Sequence, residues 1–134
     1  MRHVPLLVIP FLIYNAFAFL IFVDHEASFQ EATAISFPVI SGATFTLSLG
    51  AAIVLLGLFF LAIEVVKAAR IGRGSITDHV LATVLLVAFI VEFLIFPQAA
   101  TSTFAILMAI TLVDLICGFA VSIRTASRDV SFDG

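Results

Sequence analysis

Three carboxylates interrupt the long apolar stretches of this 134-residue chain: Glu64, Glu92 and Asp114. An ionisable group at mid-bilayer costs roughly 2.5–3.5 kcal/mol on insertion scales, so each such residue reads as functional or as tied to a partner. Two neighbouring buried carboxylates cannot both ionise cheaply, which suits a shared proton or a bound cation. Antiparallel helices turning near Gly72 and near Gln98 would bring Glu64, Thr83 and Asp114 within about one helical turn in depth. Glu92 falls nearer the opposite end, where Asn15 or Tyr14 and the hydroxyls of Thr101, Ser102 and Thr103 reach a similar level. A hydrogen-bonded carboxyl is one reading of Glu92; a site for a basic residue of another subunit is the other. For Glu64 and Asp114 the alternatives are a proton- or cation-exchanging pair and interhelical ties, with Lys67 one turn from Glu64.

Other reactive residue types fall outside any usable constellation. His3, His25 and His79 lie at or beyond the ends of apolar runs, where they cannot serve as paired axial ligands of a bilayer haem. Asp24-His25-Glu26 places three ligand types side by side, but His25-Glu26-Ala27-Ser28-Phe29 has Phe where a zinc-protease helix needs its second His. Cys117, the single cysteine, is mid-run with no His at its depth. No enzyme, cofactor or metal is expected. Phe59-Phe60 and Phe89, Phe93 and Phe96 could stack on quinone, pigment or lipid tails, or simply pack.

The elements that must position these residues are membrane spans. Hydrophobic residues make up 63% of the chain, charged residues 11%, and mean hydropathy is +1.28; those values lie outside the soluble range. A bilayer core needs roughly 20 apolar residues per helix. Four runs meet that length, at about 4–23, 45–66, 76–96 and 101–123. The predicted fold is all-α: one integral membrane domain over 1–134, an up-down bundle of four transmembrane helices. Met1-Arg2-His3 and Ala16-Phe17-Ala18 imitate a cleaved signal peptide, but the apolar run continues to Val23, which predicts an uncleaved span. Pro10 should bend the first turns of that span. Ser75-Ile76-Thr77-Asp78 matches a capping box at the start of the third, and Pro97-Gln98 turns the third into the fourth.

Small residues share faces with the acids. Thr46, Gly50, Gly57 and Glu64 align in the second run, and Thr103, Asp114, Gly118 and Thr125 in the fourth, as close helix packing in membranes requires. In the external loop, 24–44, residues 26–35 suit a short surface helix with Phe29, Ala32 and Ile35 toward the membrane, followed by redirection at Pro38 and Gly42. The polar residues 127–134 read as a tail lacking fixed structure.

Charge sets the orientation. With four spans, Arg2, Lys67, Arg70, Arg73, Arg124 and Arg128, which are all six basic residues, fall on one face, whereas Asp24, Glu26 and Glu31 fall on the other. Both termini are therefore expected in the cytoplasm, in a bacterial inner membrane, and no basic patch of nucleic-acid type is present. The function expected is that of a non-catalytic accessory, structural or assembly subunit of a larger membrane complex, in contact with lipid and with other subunits or its own copies. A homo-oligomeric channel or proton/cation-coupled transporter using the intramembrane carboxylates is the alternative, and a sensor using the 24–44 loop a third.

Overall fold

A computed structural model describes residues 5–21, 29–71 and 76–133. Within them the chain forms α1 (Val8–Ala16), a π-helical turn (Phe17–Ile21), a 3-10 turn (Phe29–Glu31), strands β1 (Thr33–Pro38) and β2 (Thr44–Ser48), then α2 (Leu49–Ile71), α3 (Ile76–Ile95), a 3-10 turn (Pro97–Ala99) and α4 (Ser102–Asp133). The protein is mostly helical. Segments Leu49–Ala68, Thr77–Ile95 and Ser102–Val121 are long and apolar enough to cross a membrane, and Val8–Ile21 is a shorter apolar helix. That composition is compatible with a helical membrane protein.

Local chemistry sets the boundaries. Ser48 Oγ accepts the Ala51 N–H at 3.1 Å, an N-cap that starts α2 four residues later than the run at 45–66 suggests. Thr101 Oγ1 accepts the Phe104 N–H at 3.3 Å and caps α4 in the same way. α3 ends at Ile95 because Phe96, which precedes Pro97, is extended (φ −101°, ψ 122°). The capping pattern at Ser75 lies outside the described residues.

Several expectations are corrected. α1 begins at Val8 rather than near residue 4, so Pro10 sits in the first turn, where its missing N–H breaks no helical bond. The Val8 and Ile9 N–H groups donate to Pro5 O and Leu6 O at 3.1 and 3.0 Å. Instead of a surface helix, the loop carries an antiparallel hairpin that pairs Ile35 with Leu47 and Phe37 with Phe45. Gly42, at φ 91°, and the Val39 N–H bond to Ala43 O form its turn. The chain is thus not purely α-helical. At the other end, α4 runs on through the expected tail to Asp133.

Helix directions alternate. Leu6, just before α1, meets Glu64 near the end of α2, while Gln30, which bonds Tyr14 of α1, lies against Gly50 at the start of α2. α2 and α4 run parallel, with Gly50 beside Thr103 and Gly57 beside Leu107 and Ile110. His79 of α3 lies beside Gly118 of α4, which sets those two helices antiparallel in the register expected about Gln98. A Cβ on Gly50 would lie 2.6 Å from Thr103 Oγ1, so this close approach requires glycine. The core centres on Phe104, fully buried among the rings of Phe11, Tyr14, Phe89 and Phe93.

Large apolar side chains lie outside as well as inside, and a few polar ones are enclosed. Tyr14, Thr103 and Thr111 are buried, whereas Leu94, Ile116, Ile123 and Phe59 are exposed. Such continuous apolar exposure calls for a covering of lipid or protein.

Candidate functional site

Two groups of polar side chains lie between the helices, one at each end of α1. At the first, the Leu6 N–H donates to Glu64 Oε1 at 2.7 Å. Leu7, the N-cap, makes no side-chain cap to α1; Glu64, from a different helix, instead satisfies the N–H of the residue before it, in the turn that leads into α1. A carboxylate at a helix N-terminus also meets the positive end of the helix dipole. Asp114 of α4 is half-buried and within electrostatic range of Glu64. Both acids thus lie at the same end of the bundle, near enough to interact electrostatically. Lys67 is exposed on α2.

Thr83 does not join them. Its hydroxyl donates to His79 O at 2.7 Å, one turn back in α3, and the residue is exposed. With His79, Val80, Val84 and Phe119 it lines an open, apolar groove of about 300 Å³ between α3 and α4. The His79 ring stacks on Phe119 with centroids 4.6 Å apart, beside Gly118, so, contrary to expectation, a His does lie at the depth of Cys117.

The second group surrounds Tyr14, whose side chain has no exposed surface. Its hydroxyl donates to Gln98 O at 2.8 Å, shares a 2.6 Å hydrogen bond with Thr101 Oγ1 and accepts one from Gln30 Nε2 at 3.2 Å. One phenol therefore joins α1, the turn before α4, the cap of α4 and the 3-10 turn that leads into the hairpin. Asn15 Nδ2 donates to Phe11 O at 2.9 Å, and the Asn15 side chain also hydrogen-bonds Glu92. Glu92 Oε2 and Gln98 Oε1 are buried and make no hydrogen bond among the described residues. The π-helical turn after Asn15 carries Phe19 onto Phe96, with centroids 5.6 Å apart and rings edge to face.

Glu92, Asn15, Tyr14 and Thr101 meet as their depths suggest. Gln30 and Gln98 are additions to that group: Gln30 falls where a surface helix is expected, and Gln98 where a bare turn is. Their interior positions depend on Gly50 and Tyr14, tens of residues away in the chain, with no local signature. Gly50 and Gly57 lie at the α2–α4 contact and Gly118 at the α3–α4 contact, each a packing position as anticipated. Of the Phe residues considered for ligand stacking, Phe89 and Phe93 pack on Phe104, Phe96 on Phe19, and Phe59 and Phe60 on each other.

The side chains of Arg70, Arg124 and Arg128 and all of Arg2 and Arg73 lie outside the described residues. Among the described residues no three of His, Cys, Asp and Glu come close enough to hold a metal ion. Comparison of the chain with protein-family models, with curated proteins and with solved structures found no match.

Proposed function

We propose that this chain is a small, non-catalytic, four-span inner-membrane protein with both termini in the cytoplasm, acting as an accessory or assembly subunit of a larger membrane complex. One observation carries the reading: its intramembrane polar groups turn inward to bind helices of the same chain, and its outer surface is apolar. Glu64 holds the start of α1, Tyr14 ties four segments together, and Glu92 is engaged by Asn15. The groove at Thr83 and Phe119 contains no acid. Such a molecule acts through its surface. The topology is supported by three span-length helices and the shorter apolar Val8–Ile21; if all four cross, the sequence puts all six basic residues at span ends of one side. Isolation from native membranes in mild detergent, with cross-linking and mass spectrometry, should recover defined membrane-protein partners; a stable monomer with no specific partner would contradict the proposal.

The second reading, a homo-oligomeric proton- or cation-coupled channel, is favoured by the closeness of Glu64 and Asp114. It requires flux through reconstituted vesicles that Asp114→Asn abolishes. Absence of flux in the unaltered protein removes it.

A further inference from the structure

The external hairpin has two chemically distinct faces. Cross-strand pairing puts Ile35, Phe37, Phe45 and Leu47 on one face, and Ser36, Pro38, Thr44 and Thr46 on the other. On the apolar face the Phe37 and Phe45 rings pair across the strands at 5.2 Å, yet no described residue covers them: Ile35, Phe37 and Phe45 remain about half exposed, and Ile40 at the tip is fully exposed. On the opposite face Ser36 Oγ and Thr46 Oγ1 share a hydrogen bond at 3.4 Å. A lone two-stranded hairpin in water is marginal, and an uncovered aromatic face calls for a covering.

We infer that the Ile35-Phe37-Phe45-Leu47 face of this hairpin is a membrane-interface anchor, lying on the outer headgroup-acyl boundary of the bilayer that α2 enters. Position supports a lipid occupant. The Leu49 N–H donates to Ala32 O at 2.7 Å, and Ser48 both ends β2 and caps α2, so the base of the hairpin is joined to the first turn of a span. Residues 32–63 contain no charged side chain, so the apolar hairpin face continues into the apolar surface of α2 without a charged border. An element with hydroxyls on one side and aromatic and aliphatic groups on the other matches the two sides of a lipid interface. Neither strand carries the edge charges that commonly keep exposed strands soluble. The inference rests on the reading of α2 as a membrane span.

The chain contains no Trp, so a single introduced Trp reports on its own surroundings. Phe37→Trp and Phe45→Trp probe the apolar face, Thr46→Trp the hydroxyl face, and Phe59→Trp, exposed on α2, the span itself. In vesicles of phosphatidylethanolamine and phosphatidylglycerol with brominated acyl chains, the Phe37→Trp and Phe45→Trp proteins should emit at blue-shifted wavelengths and be quenched several-fold more strongly than the Thr46→Trp protein. The last should instead be quenched by aqueous iodide. Iodide quenching of Phe37→Trp and Phe45→Trp equal to that of Thr46→Trp, with Phe59→Trp still quenched by bromolipid, overturns the anchor and leaves the span standing. Protection of both apolar-face reporters from iodide and bromolipid alike also overturns it and assigns the face to protein. Absence of bromolipid quenching at Phe59→Trp overturns the span reading, and the anchor with it.

Discussion

Removing the Glu64 carboxylate leaves the Leu6 N–H without its acceptor. Glu64→Ala is therefore expected to lower stability by about 1–3 kcal/mol, the usual consequence of orphaning a partly buried donor. Glu64→Gln retains an acceptor oxygen and should fall between Ala and the native residue in detergent unfolding; equal stability of the Ala variant and the native protein would refute this role. Tyr14→Phe keeps the ring against Phe104 but removes the hydroxyl shared by Gln98, Thr101 and Gln30. Its expected loss is also about 1–3 kcal/mol, measured by the same unfolding assay. At this scale the sequence is partly legible. That Glu64 and Asp114 share one end of the bundle, and that Glu92 meets Asn15, follows from spacing along antiparallel helices. The attachment of Glu64 to Leu6 does not, because the donor is a backbone N–H that any residue type would offer.

Among the elements, contact between α2 and α4 depends on glycine to different degrees along its length. At Gly50 a Cβ would meet Thr103 Oγ1 at 2.6 Å and the Gln30 carbonyl oxygen at 3.1 Å, a hydroxyl on a short side chain and a backbone atom. Gly50→Ala should destabilise by about 1–3 kcal/mol, as overpacking does. At Gly57 the nearest atom is Leu107 Cδ2 at 2.9 Å, the end of a flexible side chain, so Gly57→Ala should be the milder change. Side-by-side thermal unfolding of the two variants checks the order, and a reversed order contradicts this packing. The three long helices are readable from apolar runs of span length, which a helix in a membrane would need. The hairpin is harder to see. Thr33–Pro38 and Thr44–Ser48 do alternate, but each is short, and Phe29, Ala32 and Ile35 also fit a helical face. Ladder bonds between β1 and β2, together with the Ser48 cap, decide in favour of strands.

For the whole molecule, an apolar core under an apolar exterior leaves the few interior polar groups one requirement: they must find hydrogen bonds within the chain where water is excluded. The buried hydroxyl of Thr111 donates to Leu107 O at 2.9 Å, and Tyr14 makes its bonds in the same enclosed space. Glu92 Oε2 and Gln98 Oε1 are the exceptions among the described residues, and under the proposed function which surface meets which compartment depends on topology. Thiol accessibility tests that most directly. In a Cys117→Ala background, Thr44→Cys, exposed on the hairpin, and Ser75→Cys, in the basic turn, are each treated with a membrane-impermeant maleimide in spheroplasts. The account predicts labelling of Thr44→Cys in intact spheroplasts and of Ser75→Cys only after the membrane is permeabilised. Labelling of Ser75→Cys in intact spheroplasts would contradict it.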